Sequence, residues 1–200
     1  MAKKRMTAKE RRRNILDAAL KVIADSNYHE ATTAKIAAEA GITEPIIYIH
    51  FKNKRELFLE LLEDIRQTIN GVFEAIVADG DDAITSLKNL VMAHYEFVIR
   101  HGERYKVVSL AVSVNDEKVR KKLINIYSDL REFFRDQFTK ALSEGILVSD
   151  VDIDELSLIA LSWINMVGVT RVLGAEETIP RGNMDKILDM MEKGLRKNNP

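Results

Sequence analysis

The chain has 200 residues, an ordinary apolar content of 46% and no cysteine, which excludes disulfides, thiolate catalysis and thiolate metal sites. Its net charge of −1 conceals a split, because residues 1–55 carry 12 Lys and Arg against 6 Asp and Glu while the remainder is acidic. A basic quarter on an acidic body is the charge pattern of a nucleic-acid-binding head joined to a separate domain.

No apolar run follows Met1-Ala2-Lys3-Lys4-Arg5, so no secretory leader is expected and the chain reads as soluble and cytoplasmic. Lys3, Lys4 and Arg5 belong to a solvated basic tail, and Arg11, Arg12 and Arg13 are candidates for phosphate or minor-groove contact. A first helix is predicted over about Lys9–Asp25, with Ile15, Ala18, Ala19, Val22 and Ile23 at i, i+3, i+4, i+7 and i+8 spacing. Asn27 is expected to take the left-handed conformation beyond its end. A second helix, Ala34–Ala40, follows a Thr33 suited to cap it. Gly41 ends that helix, since glycine enters the left-handed region without a Cβ penalty. Thr43 is expected to cap a third helix, Glu44–His50, whose Pro45 falls in the first turn, where a missing N–H costs little.

Two short helices around Ala40-Gly41-Ile42-Thr43 have the outline of a helix-turn-helix, although helical proteins that bind no DNA also pair short helices about a glycine. The residues that follow favour DNA. Tyr48, His50, Lys52 and Lys54 place a phenol, an imidazole and two amines where phosphate oxygens could meet them. Asn53 and Glu56 bracket the start of the next helix as cap and N3 acid. Lys54 then falls at N1, where its charge opposes the helix dipole and invites an external anion.

The run Ala40-Gly41-Ile42-Thr43, followed by Ile47-Tyr48-Ile49-His50-Phe51-Lys52-Asn53-Lys54-Arg55-Glu56-Leu57, resembles the signature of the TetR family of bacterial one-component transcriptional regulators. The resemblance covers roughly Arg11 to Leu62. It implies a DNA-binding head of three helices, a long fourth helix leading to a ligand-binding domain, and a homodimer that reads an inverted-repeat operator in double-stranded DNA. Thr33, Tyr48, His50 and Lys54 resemble the phosphate-contacting positions of the family, and Thr43 the cap of the recognition helix. Glu44, Pro45 and Ile49 fall where base edges are usually contacted. Ile46 departs from the family, which usually has Thr or Ser there, and so lacks a hydroxyl.

A fourth helix is predicted from Lys54 to about Ala78, too long for its apolar face to be buried on a three-helix head alone. Asp79-Gly80-Asp81-Asp82 breaks it, and further helices are predicted over about Asp82–Arg100, Glu103–Val114 and Glu117–Glu144. Asp150, Asp152 and Asp154 mimic the first ligands of a calcium loop. Glu155 and Leu161 stand where such a loop needs Gly and Glu, so one of these aspartates is read instead as a helix cap. The eighth helix, Glu155–Leu173, is apolar nearly all round. Ser157, Ser162, Asn165 and Arg171 make it a poor membrane span, so a second subunit is its expected cover. A ninth helix, about Asn183–Leu195, carries a stripe of Met184, Ile187, Leu188, Met191 and Leu195. In the TetR family the last two helices form a four-helix dimer interface, so a homodimer through the eighth and ninth helices is expected.

No phosphate loop, nucleophile elbow or zinc-protease motif is present, and the four histidines show no metal-ligand spacing. No catalytic residue, cofactor or metal is therefore assigned. His94, Tyr95, Tyr127, Phe134, Trp163, Asn165 and Met166 are polar, aromatic or sulfur-bearing residues on otherwise apolar helices. Each could be plain core, and together they could line an apolar pocket with a few polar groups. Few cations accompany them, which favours a neutral or hydrophobic effector. The expected chain is all-α, with a helix-turn-helix domain over 1–53 and a ligand-binding and dimerisation domain over 54–200. Its expected function is that of a transcriptional regulator, a repressor released by a small hydrophobic effector. The alternative is a helical ligand-carrier or interaction protein without operator binding.

Overall fold

The computed structural model describes residues 6–79 and 82–197, so Lys3, Lys4, Arg5 and the Gly80-Asp81 pair lie outside the described residues. Its helices are α1 (Ala8–Asp25), α2 (Thr33–Glu39), α3 (Glu44–His50), α4 (Lys54–Ala78), α5 (Ala83–Arg100), α6 (Gly102–Ala111), α7 (Glu117–Ser143), α8 (Ile153–Val172) and α9 (Arg181–Leu195). No strand occurs among the described residues, and the fold is all-α as expected. Contacts divide the chain into two units, Met1–Arg66 with Glu103–Leu123, and Gln67–Gly102 with Ile124–Pro200.

Local chemistry sets the helix starts. Thr7 and Glu10 form a capping box, the Glu10 amide donating to the Thr7 hydroxyl and the Thr7 amide to the Glu10 carboxylate. Asp82, Asp116 and Asp152 open α5, α7 and α8, each accepting from two backbone amides of the first turn. Asn53 accepts from the Glu56 amide at 2.9 Å ahead of α4. Gly41, at φ 66°, ends α2 in a Schellman arrangement, with the Ile42 amide on the Ala37 carbonyl and the Gly41 amide on that of Ala38.

Three cap expectations are corrected. Thr32, with extended backbone, caps α2 by accepting from the Lys35 amide at 3.2 Å, and Thr33 is already helical. Thr43 is the N-cap of α3, but its hydroxyl makes no cap bond. Pro45 has removed one first-turn donor, and the Ile46 amide goes to the Thr43 carbonyl. Asn27 is not left-handed. Its side-chain oxygen instead accepts from the amides of His29 and Glu30, an Asx turn that does the work of a glycine.

In the first unit, Ile15, Ala19 and Ile23 of α1 share a core with Ile36 of α2, Ile47 of α3, Phe51, and Leu57, Phe58, Leu61 and Leu62 of α4. Arg12 and Arg13, read above as arms toward DNA, serve this core instead. Arg12 makes a two-pronged ion pair with Glu60, donates to the His50 carbonyl and lies 4.2 Å over the Phe51 ring. Arg13 pairs with Asp64, which also takes Arg104 of α6 at 3.0 Å, and Lys122 of α7 reaches Glu63 at 2.6 Å. These pairs fasten α6 and the start of α7 to the helix-turn-helix.

In the second unit, α8 packs on α5 and buries Ser157, Ala160, Ile164, Val167, Gly168 and Thr170. By length and composition α8 could cross a membrane, yet Arg131 donates to the Ser157 hydroxyl at its buried face. Its other face is bare.

Candidate functional site

The candidate recognition surface is the outer side of α3. Ile47 is its buried anchor, which turns Pro45, Tyr48 and Ile49 outward; Ile49 is 77% exposed and Tyr48 49%. Thr43 is exposed beside them, with Glu44 and His50 half-buried at the two ends. Thr33, only 8% exposed, donates its hydroxyl to the Glu44 carboxylate at 2.5 Å and lies 3.1 Å from the Tyr48 hydroxyl. A hydroxyl has one proton. With that of Thr33 on Glu44, the Tyr48 hydroxyl must donate to Thr33, so a chain of hydrogen bonds runs from Tyr48 through Thr33 to Glu44.

Lys54 is more restrained than its place at a helix start suggests. Its ammonium donates to the His29 carbonyl at 3.2 Å and lies 4.5 Å over the Tyr28 ring, which itself stacks on Phe58 at 4.6 Å. Partial burial lowers its pKa from the usual lysine value. The charge is thus held in place against the Tyr28 ring and the His29 carbonyl.

The second unit holds a small, partly open apolar cavity of about 50 Å³. α5 lines it with Ile84, Leu87 and Val91, α7 with Phe134 and Phe138, α8 with Ala160 and Trp163, and α9 with Met184, Ile187, Leu188, Met191 and Leu195. The apolar stripe of α9 therefore faces its own unit. At the cavity's edge Lys88 pairs with Glu192 at 2.5 Å and Asp189 at 3.0 Å.

Residues 15–61 match the family described as bacterial regulatory proteins, tetR family. That stretch of the chain is a tetR-family domain. Across 181 residues the chain is 21% identical to the fatty acid metabolism regulator protein of Bacillus subtilis (strain 168), covering 90% of this chain and 93% of that one. It is 24% identical over 194 residues to the HTH-type transcriptional repressor KstR2 of Rhodococcus jostii (strain RHA1), covering 90% of each. In fold it is similar to the crystal structure of the transcriptional regulator FadR from Bacillus subtilis in complex with stearoyl-CoA. The TM-score is 0.77 at 23% identity, over 91% of this chain and 98% of that one.

Of the residues expected at a ligand site, Phe134 and Trp163 line the cavity and five do not. His94 is buried beside Phe73, and neither ring nitrogen makes a hydrogen bond of normal geometry. Burial pushes its pKa down to about 4, the Ile164 backbone pulling more weakly the other way. Tyr95 and Tyr127 are half-buried elsewhere in the unit, and burial raises the Tyr127 phenol. Asn165 donates to the Leu161 carbonyl of its own helix, and Met166 points outward from α8 at 53% exposed. Lys88 and Glu192 escaped the sequence reading, because a charge one residue from an apolar stripe looks like solvated surface.

The bare face of α8 carries Leu158, Ile159, Met166, Val169 and Val172, all substantially exposed. Leu158, Ile159 and Met166 border a shallow apolar groove with Trp163 and Ile179. Clustered aliphatic exposure of this kind marks an interaction surface.

Proposed function

We propose that this chain is a homodimeric, cytoplasmic transcriptional repressor that docks α3 in the major groove of an inverted-repeat operator and releases it when a small hydrophobic effector occupies the second unit. The observation that carries the reading is the outward array on α3. An isoleucine 77% exposed beside a proline and an exposed tyrosine is a poor solvent surface, and a fitting one for base edges and methyl groups. Residues 1–53 are assigned to DNA and 54–200 to effector and dimer. Thr33, Tyr48, His50 and Lys54 are assigned to the phosphates, and Glu44, Pro45 and Ile49 to the bases, with Thr43 at the helix start.

The relatives indicate the effector class. One is named for fatty acid metabolism, and a structural neighbour was solved with stearoyl-CoA. The hydrocarbon-lined cavity between α5, α7, α8 and α9 suits an acyl chain. The bare face of α8 supports a second copy as its cover, since a helix apolar on both faces is stable in water only when both are buried.

Fluorescence anisotropy on the chain's own promoter DNA tests the reading. Binding should weaken steeply with salt, saturate at two chains per site, and fall on adding an acyl-chain effector. Affinity that is independent of salt and sequence would favour a carrier without an operator.

A further inference from the structure

The cavity is elongated as well as apolar. Its wall on α9 runs from Met184 to Leu195, about 16 Å along the axis at 1.5 Å per residue. A slot of that shape suits an extended chain better than a compact ring system. At about 50 Å³ it has room for a few waters only, so a ligand must lift α9 to occupy it.

Besides its apolar stripe, polar contacts at its two ends and over the slot hold α9 down. Arg181 pairs with Glu96 at 3.1 Å near the helix start. Beyond its end, the Val148 amide donates to the Leu195 carbonyl at 3.0 Å and the Lys197 amide to the Ile146 carbonyl at 2.7 Å. Over the slot, Lys88 of α5 takes Glu192 and Asp189. Glu192 also accepts from Arg196, at 2.6 and 3.1 Å, so one carboxylate bridges two cations at the charged end of a hydrocarbon slot. Lys88, with Arg196 second, holds the Glu192 carboxyl below its usual range, and Glu192 raises the Lys88 ammonium in return.

A neutral ligand that lifts α9 removes Glu192 from Lys88 and returns nothing to it. An anionic head restores the lost pairing while Glu192 regains its hydration. We propose that Glu192 is a built-in stand-in for the head of the ligand: the site takes a long-chain amphiphile whose chain fills the slot and whose anionic head replaces Glu192 on Lys88 and Arg196. The inference rests on the reading of this cavity as the effector site, and it adds the chemistry of the head, a carboxylate or a phosphate.

Trp163 is the chain's single tryptophan and part of the cavity wall, so its fluorescence reports occupancy. The full chain is titrated with hexadecanoate, hexadecanol and hexadecanoyl-coenzyme A. At least one of the two anions should bind about fivefold or more tightly than the alcohol. A thioester preferred over the free acid identifies the head as phosphate, and the reverse identifies it as carboxylate. Glu192→Gln should strengthen binding of the preferred anion and of the alcohol alike, since neither then has to break the pair with Lys88, whereas Lys88→Met should erase the difference between them. If Lys88→Met does not fold, the exchanged pair Lys88→Glu with Glu192→Lys retains the contact, and the exchange should weaken anion binding more than alcohol binding. Equal binding of all three probes, unmoved by Glu192→Gln, overturns the head-group inference and leaves the cavity reading standing. Binding of none of them overturns both.

Discussion

The Thr33 hydroxyl donates to the Glu44 carboxylate across 2.5 Å, joining the first turn of α2 to the first residue of α3. A residue placed by sequence as a helix cap is thereby the residue that aims the recognition helix. Held by Thr33, Glu44 offers its remaining lone pairs outward, and a carboxylate in a major groove accepts from cytosine N4. Glu44→Ala should change which base is preferred at one position of each half-site, by about 1–3 kcal/mol of discrimination. The salt dependence should stay as it is. Selection of binding sites from a random pool reads the first effect and anisotropy against salt the second. A lowered affinity with unaltered preference would remove Glu44 from base contact.

Tyr48 carries a related expectation. Its proton is committed to Thr33, so a phosphate can be met only by re-pointing it. Tyr48→Phe should therefore cost operator affinity modestly, about 0.5–1.5 kcal/mol, as for one ordinary hydrogen bond. Thr33→Val, which cuts the chain in the middle, should disturb both Tyr48 and Glu44 and cost more. The two variants compared in one anisotropy series decide whether Thr33 is the hinge of the network.

Lys54 combines a proposed duty toward DNA with a contact inside the fold. As a phosphate contact its loss lowers the salt slope by about one counterion, near 0.9 for duplex DNA. As a cation over Tyr28 its loss also costs stability, about 0.5–1 kcal/mol at a part-exposed site. Lys54→Met should show both effects, the first in DNA binding and the second in urea melting without DNA. A slope equal to that of the parent chain would confine Lys54 to the fold.

His94 makes the second unit acid-sensitive. Its pKa is about 4 in the folded chain against 6.5 for the ordinary side chain, so the unfolded chain binds the extra proton between those values. Stability from this residue is complete above pH 6.5 and is lost as pH falls toward 4, by roughly 3 kcal/mol at the acid end. Below that the loss is constant, since both states are then protonated. His94→Leu, close in size and without a titrating group, should remove this part of the acid dependence. Parallel urea melts at pH 7 and pH 4.5 measure it, and equal slopes for parent and variant would show that His94 is hydrated in the folded chain.

The sequence made some of this legible because some of it is local. Gly41, Pro45 and Asn53 act on backbone within a few residues, so α3 and the start of α4 fall where the spacing puts them. The competition between Thr32 and Thr33 was closed to a sequence reading, since adjacent threonines are equal caps until Glu44 arrives to claim one. Arg12 looked like an arm for DNA because its partner Glu60 is 48 residues away. The cavity in the second unit is built from four helices distant in sequence. The charged groups at its edge stand just outside the apolar stripes of α5 and α9, where periodicity gives no sign of them.

The stripe on α9 also decides how the dimer should be tested. A run of Met184, Ile187, Leu188, Met191 and Leu195 has the same periodicity whether it meets a partner subunit or its own unit. Here it meets its own unit, and Leu188 is 9% exposed in the wall of the cavity. Leu188→Glu should therefore destabilise the second unit, because an unpaired carboxylate there costs several kcal/mol or must be protonated. Loss of dimer in that variant would follow from loss of fold. The face to mutate is the bare one on α8. Ile159→Glu is nearly free of cost within one chain, since the side chain is 49% exposed. In a dimer covered at α8 it would bury two carboxylates near the two-fold axis. The expected outcome is a monomer with the parent's helicity and effector binding, and with operator affinity reduced toward that of a single half-site. Sedimentation velocity and circular dichroism on the two variants separate the cases. A stable Ile159→Glu dimer would move the interface away from α8.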